Sequence, residues 1–208
     1  MDVGGRTVGV VVLMAGRSSR MQGSNKLLIP IESTKCSVAE HTIQSIVKAG
    51  YESILVVTGH DSELLKEALN AFDVQWIHNL RYKEGMGTSI AKAFEIIEDW
   101  DAALIALGDM PFVSVNTLKL LREVSNEHPS QIIAPSHDGR RGQPVIFPAR
   151  FFRYLRECTG EVGGKRVLQA HPESVMLVDV RDEGIHWDVD TEDMLRRYSK
   201  RSRKVKDD

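Results

Sequence analysis

Three stretches of this 208-residue chain carry side chains suited to holding a polyphosphate beside a divalent cation. The first is Leu13-Met14-Ala15-Gly16-Arg17-Ser18-Ser19-Arg20-Met21, with Lys26 shortly after it. Small residues in such a turn let backbone N–H groups approach phosphate oxygens. Arg20 could grip two of those oxygens at once, and Lys26 would act as a compact point charge. The turn fits neither standard phosphate fingerprint. Gly16 is followed two residues on by Ser18, and Lys26 stands between Asn25 and Leu27 instead of in a Gly-Lys-Ser/Thr triplet. On spacing alone, a phosphate turn and a surface loop with two solvated cations are equally compatible with it.

The second stretch is Leu104-Ile105-Ala106-Leu107-Gly108-Asp109-Met110-Pro111, an apolar run that ends in an acid. A carboxylate there suits Mg²⁺, which takes one or two carboxylates and completes its shell with phosphate oxygens and water. A turn or helix cap would use Asp109 equally well. The third is Trp187-Asp188-Val189-Asp190-Thr191. Its two acids are expected on opposite sides of a short extended piece, which would leave only one of them able to face the site of Asp109. Asp190 could also cap a helix that starts at Thr191.

The elements that must position these residues alternate. Val8 to Leu13 is a continuous β-branched run and reads as a strand buried on both faces. Ser37 and Glu40 form a capping-box pair ahead of a helix with Ile43, Ile46 and Val47 on one side, ending at Gly50. Ile54 to Val57 is a strand. Asp61 is the expected cap of a helix through Leu64, Leu65 and Leu69, and Val74 to Ile77 is a short strand. Gly87-Thr88-Ser89 opens a helix, and Ala102 to Leu107 is a fourth strand. Such alternation predicts a three-layer α/β/α, mostly parallel, Rossmann-like sheet, whose ligand crevice lies at the carboxyl ends of the strands. The first and fourth strands would bring the turn at Gly16 and the acid at 109 into that crevice. Ile132 to Pro135 and Val145 to Phe147, joined by a polar turn through Gly142, add an antiparallel hairpin. Helical stretches at 151–156 and 164–170, a strand at 175–180 and a last helix from Thr191 complete the chain. It reads as one domain, with residues 8–110 forming a triphosphate-binding half, 111–198 an acceptor-binding half and 199–208 a basic tail.

The totals exclude several classes. Apolar residues make up 42% and charged residues 27%, the composition of an ordinary globular protein. A net charge of −2 gives no general attraction to nucleic acid or an acidic membrane. No apolar run approaches the roughly 20 residues that span a bilayer, and the polar start from Met1 to Thr7 is unlike a secretory signal. The two cysteines, Cys36 and Cys158, are far apart and outside any metal-binding spacing, so the expected location is the reducing cytoplasm. The basic run from Arg196 to Lys206 reads as a solvated terminus. His78, His137 and His186 read as surface histidines, and Trp76 and Trp187 suit either core packing or stacking.

Taken together, these motifs resemble the molybdenum cofactor nucleotidyltransferases, a branch of the nucleotide-diphosphosugar transferase fold, and their cytidylyltransferase members most. The resemblance spans about residues 8–198. It rests on the first motif with Lys26, on Gly108-Asp109-Met110-Pro111, on Gly142-Gln143-Pro144-Val145 with Phe147, and on Asp188-Val189-Asp190-Thr191. Asn79 with Gly85-Met86-Gly87-Thr88-Ser89-Ile90 adds to it. The resemblance implies that Leu13, Ala15, Gly16, Arg17, Ser18, Arg20, Lys26, Gly85, Ser89 and Asp109 bind the nucleotide. Asp109 and Asp190 would hold Mg²⁺, with Lys26, Arg20 and Asp109 catalytic. Gln143, Pro144, Lys165 and Asp188 would meet the acceptor. Ala15 stands where the cytidine-using branch tends to carry Ala and the guanosine-using branch Gly. The implied reaction moves CMP from CTP to the terminal phosphate of molybdopterin or molybdenum cofactor, with release of pyrophosphate. It leaves room for a molybdoenzyme as assembly partner and calls for neither nucleic acid nor membrane.

The sequence departs from the pattern at several points. Met14 replaces Ala, Gln22 lengthens the stretch before Lys26, and Gln143 replaces His. Gly160-Glu161-Val162-Gly163-Gly164-Lys165 carries Glu for Asp and Lys for Arg, and Glu192 stands in place of Pro. The last two changes fall in the acceptor half. A guanylyltransferase, a sugar-phosphate nucleotidyltransferase, or a nucleotide-binding assembly factor without catalysis are the competing expectations.

Overall fold

The computed structural model describes residues 6–16, 25–32 and 34–204. Arg17, Ser18 and Arg20 lie outside the described residues. The strands are β1 (Val8–Met14), β2 (Ile54–Thr58), β3 (Gln75–His78), β4 (Ala102–Leu107), β5 (Ile132–His137), β6 (Arg140–Arg141), β7 (Val145–Pro148) and β8 (Val175–Asp179). The α-helices are α1 (Val38–Lys48), α2 (Ser62–Ala68), α3 (Met86–Phe94), α4 (Val115–Glu127), α5 (Phe152–Arg156), α6 (Lys165–Ala170) and α7 (Glu192–Lys204).

The strands form one mixed sheet in the order β3-β2-β1-β4-β7-β5-β6, with β8 also on β5. The first four neighbours run parallel, as their helical crossovers require. β7 then lies antiparallel to both β4 and β5, and β8 returns parallel to β5. The expected antiparallel addition is therefore present, and its polar turn folds back as β6 against β5.

Period-two alternation divides the core. Val8, Val10, Val12 and Met14 of β1 face α1, α2, α4 and α7, together with Ile54, Val56, Leu104 and Ala106. Val11 and Leu13 face the opposite layer of α3, α5 and α6, together with Leu55, Val57 and Ile105. Both faces of the central strands are thus covered, which explains their unbroken apolar runs. Met14 belongs to this core at 1% exposure.

The capping box of α1 forms on both sides. The Ser37 hydroxyl accepts from Glu40 N–H, and the Glu40 carboxylate accepts from Ser37 N–H. One cap assignment is corrected, and one alternative is decided. Asp61 makes no side-chain cap to α2; it adopts left-handed backbone (φ 54°), and its carboxylate accepts from the Asn25 amide. At α7 the cap is the Thr191 hydroxyl, which accepts from Met194 N–H and leaves Asp190 for other work. Among the described residues no helix is long and apolar enough to cross a membrane.

Candidate active site

The carboxyl ends of β1 and β4 open into a cleft of about 530 Å³. Lys26 reaches it from a single 3-10 turn, Lys26–Leu28, capped by the Asn25 side chain, which accepts from Leu27 N–H at 3.1 Å. The Asn25 amide donates onward to Asp61 at 3.2 Å, and Leu27 is buried in the core. The turn is therefore anchored from both sides and Lys26 lines the cleft; Gln22 lies outside the described residues.

Asp109 leaves the end of β4 through Gly108. The Gly108 N–H donates to Leu13 C=O at 3.0 Å, and its C=O accepts from the Thr42 hydroxyl at 3.1 Å. A Cβ on Gly108 would lie 2.6 Å from Met14 Cγ, so glycine is required for the strand end to sit this close to β1. Asp190 arrives from the opposite half of the chain. Val189 N–H donates to Asp109 C=O at 2.8 Å, which fixes the Trp187–Thr191 segment alongside the end of β4. Asp190 turns to Lys26 while Asp188 is exposed. The expectation of opposite sides is corrected, since residues two apart in extended backbone share a side. The Asp188 charge is close enough to add to the upward push on the Asp109 carboxyl.

The two carboxylates converge on one cation. Lys26 Nζ lies 2.6 Å from Asp109 Oδ2 and 2.8 Å from Asp190 Oδ1, with the three side chains 14%, 20% and 26% exposed. Burial pushes the Asp109 carboxyl up from its ordinary value, against the opposing pull of the Lys26 ammonium. Burial also works against the Lys26 charge, but the two acids outweigh it and hold the ammonium above its ordinary value.

This donor set suits a hard divalent cation. Among the described residues no cluster of three or more His, Cys, Asp or Glu forms a metal cage. Two carboxylates that already share one positive charge are the protein contribution expected of Mg²⁺ or Mn²⁺, with phosphate oxygens and water completing the shell.

The far wall is built from the start of α3. Asn79, 3% exposed, donates to the hydroxyls of Thr88 and Ser89 at 2.9 and 3.0 Å, fixing the first turn of the helix. Gly85 (φ +109°) and Gly87 lie against the backbone of 159–161. A Cβ at either would come within 2.4 and 2.6 Å of that backbone, and Gly87 N–H donates to Gly160 C=O at 2.7 Å. This glycine seam brings Glu161 to the cleft.

Of the residues expected at the nucleotide, the cleft gathers Leu13, Ala15, Gly16, Lys26, Gly85, Ser89 and Asp109, together with Asp190. Gln143 and Pro144 instead line a smaller apolar hollow between α1 and β4, beside Thr42 and Met110. Lys165 is exposed at the start of α6. Neither Lys165 nor Asp188 lines the cleft. Met86, from the Gly85–Ile90 segment, also lines it, as do Tyr82, Lys83 and Glu161, to which the sequence assigned no nucleotide contact. Lys83 was legible as a cation three residues before Met86. Tyr82 gave no sequence signal; its side chain packs against Gly59, remote in the chain.

Comparison with known proteins follows this geometry. The chain is 28% identical over 142 residues to the bifunctional protein GlmU of Francisella tularensis subsp. novicida, covering 68% of this chain and 30% of that protein. It thus spans under a third of the curated relatives it matches. Rv0371c of Mycobacterium tuberculosis H37Rv superposes with a TM-score of 0.79 at 25% identity, covering 94% of this chain and 98% of that one. Its manganese complex superposes with a TM-score of 0.73 at 24% identity, covering 93% and 98%. A nucleotidyl transferase from Methanothermobacter thermautotroptrophicus shares the fold with a TM-score of 0.81 at 23% identity, covering 97% and 100%. The MobA-like NTP transferase domain matches residues 10–175. The chain belongs to the MobA-like NTP transferase family.

Proposed function

We propose that this nucleotidyltransferase moves CMP from CTP to the terminal phosphate of molybdopterin or molybdenum cofactor, releasing pyrophosphate. The observation that carries the reading is the convergence of Asp109 and Asp190 on Lys26 inside the cleft. An acceptor phosphate is already ionised near neutral pH, so its attack on the α-phosphorus needs no general base. The obstacle is the mutual repulsion of several phosphates, and catalysis then depends on alignment and neutralisation. Mg²⁺ held by Asp109 and Asp190 would supply concentrated positive charge to the reacting phosphates. Lys26, anchored by Asn25 and Leu27, offers its ammonium to the α-phosphate. Arg20, Arg17 and Ser18 would take the β- and γ-phosphates from the turn that follows Gly16. Ala15, at the cleft wall, favours cytidine by resemblance to that branch of the family.

Residues 8–110 would serve the nucleotide and 111–198 the acceptor, with Asp190 crossing between them. Gln143, Pro144, Lys165 and Asp188 are the proposed acceptor side, and a molybdoenzyme the proposed recipient of the product. The manganese complex of the mycobacterial neighbour supports a divalent cation. Both cysteines are free thiols, in keeping with a cytoplasmic enzyme. A sugar-phosphate acceptor is the second reading, from the resemblance to the nucleotide-diphosphosugar transferase fold.

The test is pyrophosphate release with each of the four nucleoside triphosphates, with molybdenum cofactor or a sugar phosphate as acceptor, with and without Mg²⁺. Release that needs CTP, the cofactor and Mg²⁺ together is the expected result. Turnover with the sugar phosphate alone would replace it with the second reading.

A further inference from the structure

The two acids at the cleft are tied to each other on their far side by aromatic rings. Phe112 follows Asp109 by three residues, and Trp187 precedes Asp190 by three. Their rings meet edge to face, with centroids 6.2 Å apart and an interplanar angle of 71°. Tyr198 of α7 closes the group. It stacks on Trp187 at 4.9 Å and 4°, and meets Phe112 edge-on at 6.3 Å. The Arg201 guanidinium covers the Trp187 ring at 5.2 Å and ion-pairs with Glu183. Trp187 is buried at 8% exposure, and Phe112 and Tyr198 pack against the main core.

The cluster joins the exit of β4, the segment that carries Asp190, and the last helix. Among the described residues, the Val189 N–H to Asp109 C=O bond is the backbone link across the Asp109–Asp190 approach. Stacked and edge-to-face rings have directional preferences, so they fix relative orientation as well as distance. The matched family span ends at residue 175; Phe112 lies within it, and Trp187, Asp190 and Tyr198 stand beyond it.

We infer that Phe112, Trp187 and Tyr198 form a clasp that sets the spacing of the Asp109 and Asp190 carboxylates, making Tyr198 a positioning residue for divalent-cation binding. The inference rests on the proposed metal role of the two acids. It gives α7 a task that its basic composition did not suggest: holding the ligand-bearing segment in register from outside the cleft. Small angular errors matter in such a site, because Mg²⁺ demands near-ideal octahedral geometry.

The experiment measures Mn²⁺ binding to the full chain in the presence of CTP by electron paramagnetic resonance, for wild type, Tyr198→Ala and Tyr198→Phe. Tyr198→Ala is expected to weaken Mn²⁺ binding about tenfold, with Tyr198→Phe within about twofold of wild type because the ring is kept. Leu168→Ala, in the opposite core layer, serves as a control for general destabilisation and should leave Mn²⁺ affinity unchanged. Should Tyr198→Ala fail to fold, Tyr198→Leu preserves bulk without stacking and is expected to show the same loss. Wild-type affinity in a folded Tyr198→Ala or Tyr198→Leu, or an equal loss in Leu168→Ala, overturns the clasp alone. A wild-type chain that binds no Mn²⁺ with any nucleotide overturns the clasp and the proposed function together.

Discussion

Lys26 and Asp109 stand 83 positions apart in the chain, and their charged groups meet at 2.6 Å. Asp190, a further 81 residues on, completes the same contact from the other half of the molecule at 2.8 Å. The ammonium keeps two half-buried carboxylates together that would otherwise repel each other.

That arrangement makes Asp109 the residue whose loss should cost most in rate. Asp109→Ala is expected to remove about 3 kcal/mol or more of transition-state stabilisation, roughly a hundredfold in turnover. Continuous pyrophosphate release measures it, and near-normal turnover would reject Asp109 as a cation ligand.

Removing the ammonium should act on stability as well. Lys26→Met leaves Asp109 and Asp190 facing each other without a cation, at an expected cost of about 1–2 kcal/mol given their partial exposure. A divalent cation that binds the exposed pair then restores stability by mass action. Urea unfolding with and without Mg²⁺ tests this: Mg²⁺ should stabilise the variant more than wild type. Equal shifts in both proteins would argue against a shared ion site.

The glycine seam offers a test of how the far wall is held. Gly87→Ala places a methyl group 2.6 Å from the Thr159 backbone, which cannot yield as a flexible side chain would. An expected loss of roughly 2–3 kcal/mol should accompany weaker nucleotide binding, because the segment bearing Glu161 is displaced. Unfolding and CTP titration read the two effects separately; a variant as stable as wild type would mean the segment moves aside freely.

Tyr51 predicts an alkaline limit to stability. It is 3% exposed, its hydroxyl donates to Leu118 C=O at 3.1 Å, and burial raises its ionisation well above the ordinary value despite the nearby Arg122. The unfolded chain therefore loses this proton near pH 10 while the folded chain keeps it. Stability should fall as pH rises above about 10, by up to about 1.4 kcal/mol per pH unit. Tyr51→Phe should lower stability at neutral pH by about 1 kcal/mol and flatten that decline. An unchanged alkaline slope in the variant would assign it to other groups.

Much of this was legible in the sequence for identifiable reasons. β1 and β4 are apolar without interruption because helices cover both their faces, and the Ser37–Glu40 box needs only local geometry. Asp109 could be placed because it ends a buried run, whereas the choice between Asp188 and Asp190 was not legible: residues two apart in extended backbone share a side, and only the contact with Lys26 singles out Asp190. Other features depended on distant contacts. Asp61 has the composition of a cap, but its backbone turns left-handed and its carboxylate is used by Asn25 instead. Nothing local to β8 reveals that it runs parallel to β5. Tyr82 packs its side chain against Gly59, and Glu161 follows a backbone seam against Gly85, both contacts between segments remote in the chain.

The seam between 85–87 and 159–160 is made of main chain on both sides. Glu161 and Val162 project from it into the open, Val162 at 55% exposure. Their side chains can therefore be exchanged during evolution with little consequence for folding, while the glycines beneath them cannot. One rim of the cleft is in effect a replaceable fitting on a fixed mount, and an enzyme of this design can change what it recognises there while its architecture stays the same.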